Sequence, residues 1–188
     1  MVSPLAEPTS RRKLLGASAA ALLLAGCGGS SASHTPSTNQ LTPPVTSDDV
    51  TILNAALALE HRAAAAYTAA IPLLGGRTQK AAKQFLSQDL THAGRLAGII
   101  NGAGGEPVQP LPSYDLGGPR GTPQLLALLH SIEAAVVAGY LQAIPRLSLG
   151  KTRADVASIL ANEAQHVSVL RYKLRLDPIP SALVTGHE

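Results

Sequence analysis

Six residues of this chain are of metal-ligand type and are set out twice at nearly the same spacing. Glu60 is followed by Asp89-x-x-His92, and Glu133 by Glu163-x-x-His166. A carboxylate and an imidazole at i and i+3 share one face of a helix, so both can grip one cation. Two helices giving one carboxylate each, and two giving carboxylate-x-x-His, form the ligand inventory of a four-helix bundle that holds a pair of iron or manganese ions. Carboxylate and imidazole without thiolate favour iron (a di-iron site), manganese or a mixed iron–manganese pair, with zinc open. A single Glu-x-x-His in a helix is more often a solvated face or a local ion pair. Four ligand-bearing helices in matching order are a far rarer accident. The competing reading is a bundle whose carboxylates pair with Arg or Lys instead.

Those residues need helices to place them, and the duplication extends to the helices. A shift of 73 residues lays Glu60 on Glu133, Ala65 on Ala138, Tyr67 on Tyr140 and Ala70-Ile71-Pro72 on Ala143-Ile144-Pro145. One inserted residue later, a shift of 74 lays Thr78 on Thr152, Asp89 on Glu163, His92 on His166 and Leu96 on Leu170. The unit is a helical hairpin present twice, and a solenoid needs three or more repeats. The expected architecture is therefore all-α: two helical hairpins closing into a four-helix bundle.

The first helix is expected from Ser47-Asp48-Asp49, which offers cap residues and early negative charge, to about Ile71, where Pro72 and Gly75-Gly76 stop it. The second runs from about Thr78 to Ile100, the third from Thr122-Pro123 to Ile144, and the fourth from about Thr152 to Leu176, ended by Pro178 and Pro180. Between Gly102 and Pro123 eleven of 22 residues are Gly or Pro. A connection that long suits a chain that must cross the bundle's length between its two hairpins, about 30 Å for helices of ~20 residues.

Glu60 lies in Ala56-Leu57-Ala58-Leu59-Glu60 and Glu133 in Ile132-Glu133-Ala134-Ala135-Val136. Surroundings so apolar imply buried carboxylates, which need a partner. Tyr67 and Tyr140 each follow a glutamate by seven residues, about two turns, and so share its face. They are core tyrosines with satisfied hydroxyls, or hydrogen-bonding or redox-active phenols beside the metals. His61 and His130 lie beside or one turn from the glutamates and have no counterpart in the other half. His34 and His187 sit in a polar stretch and near the end. Haem held by methionine is excluded, because the only methionine is Met1.

The N-terminal residues carry an address. Ser10-Arg11-Arg12-Lys13-Leu14-Leu15 resembles the twin-arginine export signal, and the apolar run Leu14 to Ala25 is too short to span a bilayer, which needs roughly 20 residues. Leu24-Ala25-Gly26-Cys27 resembles the lipobox of bacterial lipoproteins, which implies cleavage before Cys27 and a lipid on it. Cys27 is the only cysteine, so no disulfide can form within the chain. Expected segments are a signal at 1–26, a Ser/Thr/Pro-rich tether at 27–47, the bundle at 48–180 and a tail at 181–188. Without residues 1–26 the 162 that remain carry 12 Lys+Arg against 11 Asp+Glu. That near-neutral balance, with 3% aromatic residues, gives no warrant for nucleic-acid binding.

Leu59-Glu60 with Tyr67, Asp89-Leu90-Thr91-His92, Ile132-Glu133 with Ala138-Gly139-Tyr140, and Glu163-Ala164-Gln165-His166 with Leu170-Arg171 together resemble the ferritin-like superfamily. Pro112-Ser113-Tyr114-Asp115-Leu116-Gly117 is similar to the exported bacterial branch that includes desiccation-associated proteins. The resemblance spans roughly residues 48–180. It implies a ferritin-like bundle with one metal on Glu60, Asp89 and His92 and another on Glu133, Glu163 and His166. Carboxylates of the second and fourth helices would bridge them. Asp89 departs from the family's Glu; its side chain reaches about 1 Å less, which leaves a mononuclear site open.

Function is then expected to be redox chemistry toward Fe(II), oxygen or peroxide in a lipoprotein on the outer face of the cell membrane. The alternative is a non-catalytic surface lipoprotein acting as a binding or stress-protection module. A storage cage fits less well, since no fifth helix is evident after Pro178 and Pro180.

Overall fold

A computed structural model describes residues 45–188. The expected export signal, Cys27, His34 and nearly all of the expected tether lie outside the described residues. Among the described residues the ordered elements are all helical: α1 (Ser47–Ala70), α2 (Gly76–Gly102), α3 (Gly121–Ala143) and α4 (Gly150–Lys173). Single 3-10 turns at Ile71–Leu73 and Ile144–Arg146 follow α1 and α3, each with proline in its first turn. Proline there cannot donate back to the preceding turn, and so ends the α-helical ladder that Ile71 and Ile144 still continue.

The helices pack as two hairpins, α1 with α2 and α3 with α4, and α1 also packs on α3. Contacts between α1 and α3 fix the directions. Tyr67 bonds Glu133 while Tyr140 bonds Glu60, so one helix ascends as the other descends. A connection spanning the bundle's length is the consequence, and the Gly/Pro-rich segment after α2 supplies it. It is clipped to α1 on the way: Asn54 donates to Glu106 O at 3.0 Å and accepts from Val108 N at 2.7 Å. His61 Nε2 donates to Val108 O at 3.1 Å, so this histidine serves the connection and not the metal face.

Alanine sets the closeness of α1 and α3. Ala56, Ala63, Ala66 and Ala70 are buried along α1, and on α3 a Cβ at Gly139 would collide with the Leu59 side chain. Around this seam Leu53, Leu57, Leu96, Ile100, Leu129, Val136 and Val156 form the core, each almost wholly buried. With its 3-10 extension, α3 is long and apolar enough to cross a membrane. Half of its most apolar stretch is nonetheless buried inside the bundle, as in the central helix of a core.

Two ends differ from the sequence expectation. The N-cap of α1 is Thr46, whose hydroxyl accepts from Asp49 N while the Asp49 carboxylate accepts from Thr46 N, both at 3.1 Å. This reciprocal box leaves Asp49 Oδ1 free to accept from Ser148 N at 2.9 Å and Ser148 Oγ at 3.2 Å, tying α1 to the loop before α4. At the other end α4 stops at Lys173, ahead of the prolines, in a left-handed turn. Arg175 has φ +61 and Leu176 N donates back to Arg171 O at 2.9 Å.

Asp49 is fully buried. Burial alone would raise its pKa, but the bonds from Ser148 and Thr46 outweigh it and hold the carboxyl below the usual range. A depressed carboxyl contributes stability above its unfolded pKa and loses it as pH falls through the folded one. Asp49→Ala is expected to cost about 2–4 kcal/mol near neutral pH, because Ser148 N and Thr46 N lose their acceptor. The difference from wild type should shrink at the acid end of a series of denaturant melts. Equal melts at neutral pH would contradict this role.

Candidate metal centre

Each ligand-type residue is delivered to the bundle axis by its own helix: Glu60 by α1, Asp89 and His92 by α2, Glu133 by α3, Glu163 and His166 by α4. All four carboxylates are fully buried, and His166 is nearly so. All six side chains converge, so none of the residues set out by the spacing falls outside the cluster. They form two overlapping groups, Glu60, Asp89, His92 and Glu163, and Asp89, Glu133, Glu163 and His166. Within each group one ligand atom per residue lies within 4.8 Å of all the others. Asp89 and Glu163 belong to both, so the shorter Asp89 still reaches the shared position.

The tyrosines cross over between the hairpins. Tyr67 OH donates to Glu133 Oε1 at 2.5 Å, and Tyr140 OH donates to Glu60 Oε1. Both phenols are buried. Burial, reinforced by the neighbouring carboxylates, pushes their pKa values up, so they remain protonated donors. Of the two readings open in sequence, hydroxyls hydrogen-bonded to the cluster glutamates are what the fold builds.

A distinct division of oxygens results. Glu60 and Glu133 each have one oxygen held by a tyrosine and one, Oε2, with no hydrogen-bond partner. Asp89 has both oxygens without one, and the two oxygens of Glu163 face only the imidazoles of His92 and His166. Two carboxylates with one spare oxygen and two with a spare pair match terminal and bridging ligation of two cations. A buried polar atom left without a partner costs roughly 1–3 kcal/mol, more for a charged group. Gathered in one place, these oxygens could hold a metal ion. The donor set fits iron or manganese.

Protons and imidazoles share the load when no cation is present. Among the described residues the cluster carboxylates form ion pairs only with histidines: His92 Nδ1 is 2.5 Å from Glu163 Oε1, and His166 Nδ1 is 2.9 Å from Glu163 Oε2. Arg and Lys pairs are confined to Asp155 on the surface. Burial, then repulsion from Glu133 and Glu163, pushes Asp89 up to about 9. Burial likewise raises Glu133, to about 7, against the pull of His166 and Tyr67. Burial also opposes charge on the other three, but their mutual bonds prevail: His92 rises to about 9, His166 to about 10, and Glu163 falls to about 2. A cation entering this site displaces protons, so its uptake weakens as pH falls.

Two contributing residues do not stand out in the ligand spacing. Gln88 Oε1 accepts from His166 Nε2 at 2.9 Å. Phe85 stacks on the His166 ring with centroids 4.1 Å apart, and meets Tyr67 edge-on at 6.0 Å. Gln88 is one residue before Asp89, as Asn162 is before Glu163, and that recurrent amide was the available signal. His130 is half-buried with Nε2 unpartnered, and His187 is exposed; neither joins the cluster.

The profile of a family described as "Ferritin-like domain" matches residues 48–175. Among similar solved structures is a conserved hypothetical protein from Mycobacterium tuberculosis, 16% identical, with a TM-score of 0.65. The match covers 67% of this chain and 96% of that one, and at that identity the likeness is one of fold. No curated protein matches the chain.

Proposed function

This chain belongs to the ferritin-like domain family, and we propose that its six-residue cluster holds two iron ions (or manganese, or one of each) for redox chemistry toward Fe(II), oxygen or peroxide. The observation that carries this reading is the division of oxygens with no partner but the cluster histidines, one each on Glu60 and Glu133 and two each on Asp89 and Glu163. Bound iron would supply one-electron chemistry and open positions for an oxidant. The protein's part is then positional. Glu60 and Glu133 each offer one oxygen because Tyr140 and Tyr67 occupy the other. Asp89 and Glu163, which belong to both groups, would be shared between two ions, and His92 and His166 would each serve one. Phe85 covers the His166 ring and shields it from bulk water.

The non-catalytic alternative would be signalled by Arg or Lys paired with these carboxylates. The cluster's ion pairs with histidine alone weigh against it. Protein loaded anaerobically with Fe(II) and then mixed with oxygen or hydrogen peroxide should form Fe(III) well faster than Fe(II) in buffer. Glu133→Ala should bring the rate back to that of buffer. A wild-type rate no better than buffer would overturn the redox reading.

The address at the N-terminus belongs to the same proposal. An exported, desiccation-associated-type lipoprotein, anchored through Cys27 to the outer face of the membrane, would receive its metal before export, because the twin-arginine route carries folded proteins. Cys27→Ser should move the protein from the membrane fraction to the soluble one. Unchanged partition would remove the anchor from the account.

A further inference from the structure

The two imidazoles of the cluster are held very differently. The His166 side chain is 1% exposed, bonded at Nε2 to Gln88 and covered by Phe85. The His92 side chain is 11% exposed, and among the described residues no hydrogen bond is found from its Nε2. In the second half of the chain Asn162 stands in Gln88's place and Ile159 in Phe85's. The asparagine is one methylene shorter, and isoleucine offers no ring to stack.

We propose that Gln88 is a positioning residue for His166, and that it makes the position built on Glu133 and His166 the first to fill; this rests on the metal reading above. A metal takes the imidazole in its neutral form, with the Nδ1 proton displaced and one proton left on the ring. An amide oxygen 2.9 Å from Nε2 keeps that proton there. Nδ1 is then the atom turned toward Glu163, Glu133 and Asp89, at 2.9, 3.2 and 3.5 Å. Once its proton is displaced, Nδ1 meets the cation without a change of tautomer, and Phe85 resists rotation of the ring. Helix α2 thus serves this position twice, with Asp89 as ligand and Gln88 as brace for a ligand on α4. The position built on Glu60 and His92 has no such brace, so part of its binding energy must be spent on immobilising the His92 ring.

Anaerobic titration of the purified protein with Co(II), followed by visible absorbance, should show two phases. Gln88→Met removes the acceptor at similar volume and should weaken the tighter phase about 10–100-fold, leaving the weaker one within about threefold. Gln88→Glu, which restores an acceptor, should return the tighter phase to within a few-fold of wild type. Asn162→Leu should leave both phases in place. If the methionine variant does not fold, Gln88→Asn withdraws the acceptor by one methylene and should weaken the same phase.

A readout without metal separates this inference from the reading beneath it. In metal-free, histidine-labelled protein, His166 should show an exchange-protected Nε2 proton by NMR, lost in Gln88→Met. Persistence of that proton in the variant, equal weakening of both phases, or failure of glutamate to rescue would overturn the role of Gln88. No Co(II) uptake by wild type would instead overturn the metal reading, while the ring proton still decides whether Gln88 holds His166.

Discussion

Glu163→Ala is expected to abolish both metal positions at once, weakening each by more than about 100-fold. Glu163 belongs to both ligand groups. It is also the carboxylate that both histidines approach. Glu60 belongs to one group alone, so Glu60→Ala should lose one metal and keep the other. Comparing the two variants with wild type by metal analysis after anaerobic loading with Mn(II) separates a shared ligand from a terminal one. A Glu163→Ala protein that keeps one metal at wild-type affinity would show that the carboxylate does not bridge.

The second large effect is on stability and has the opposite sign. Asp89→Asn is expected to stabilise the metal-free protein, by on the order of 2–4 kcal/mol at pH 7–8. In the unfolded chain this carboxyl is ionised at that pH. In the fold, burial and the charges of Glu133 and Glu163 push its pKa up to about 9. Folding must therefore take up a proton, at a cost that grows as pH rises from the ordinary carboxylate range toward 9. Asparagine has no proton to take up. Thermal unfolding in the presence of a chelator should show a midpoint raised by roughly 5–15 °C and a flatter pH dependence. The same variant should respond less to added metal. A variant less stable than wild type across pH 5–8 would mean that the ionised carboxylate is already well neutralised by the histidines.

Charged groups set among apolar ones explain why so much of the site was legible in sequence. Carboxylates inside runs such as Ala56-Leu57-Ala58-Leu59-Glu60 conflict with their surroundings, and such a conflict persists only where something else compensates. The duplicated spacing then assigned four helices and six residues of ligand type, and the fold brings all six together. Helix boundaries were legible to within a few residues, since Gly and Pro stop helices by local rules. The Gly/Pro-rich connection was legible as a crossing of the bundle for the same reason.

What stayed hidden depends on neighbours distant in sequence. Periodicity placed Tyr67 and Tyr140 on the right face, yet each serves the glutamate of the other hairpin, 66 and 80 residues away. A face can be read from spacing; the partner across it cannot. Asp49 reads as a cap residue and is one, but its bond to Ser148, 99 residues on, follows only from how the end of α3 comes to lie beside the start of α1. The end of α4 misled for a different reason. Prolines are conspicuous stop signals, whereas a non-glycine residue in a left-handed turn, Arg175, announces nothing. Gln88 escaped because an amide next to a ligand has many uses, and only the packing of α2 against α4 selects one.

The most direct test is metal content per chain, measured by mass spectrometry on protein loaded with Fe(II) under anaerobic conditions, alongside its unfolding temperature with and without metal. Two ions per chain, with a midpoint that rises on loading by an amount set by metal concentration over Kd, is the expected result. No bound metal and an unchanged midpoint would contradict it, and would leave a bundle in which two histidines alone neutralise the four carboxylates.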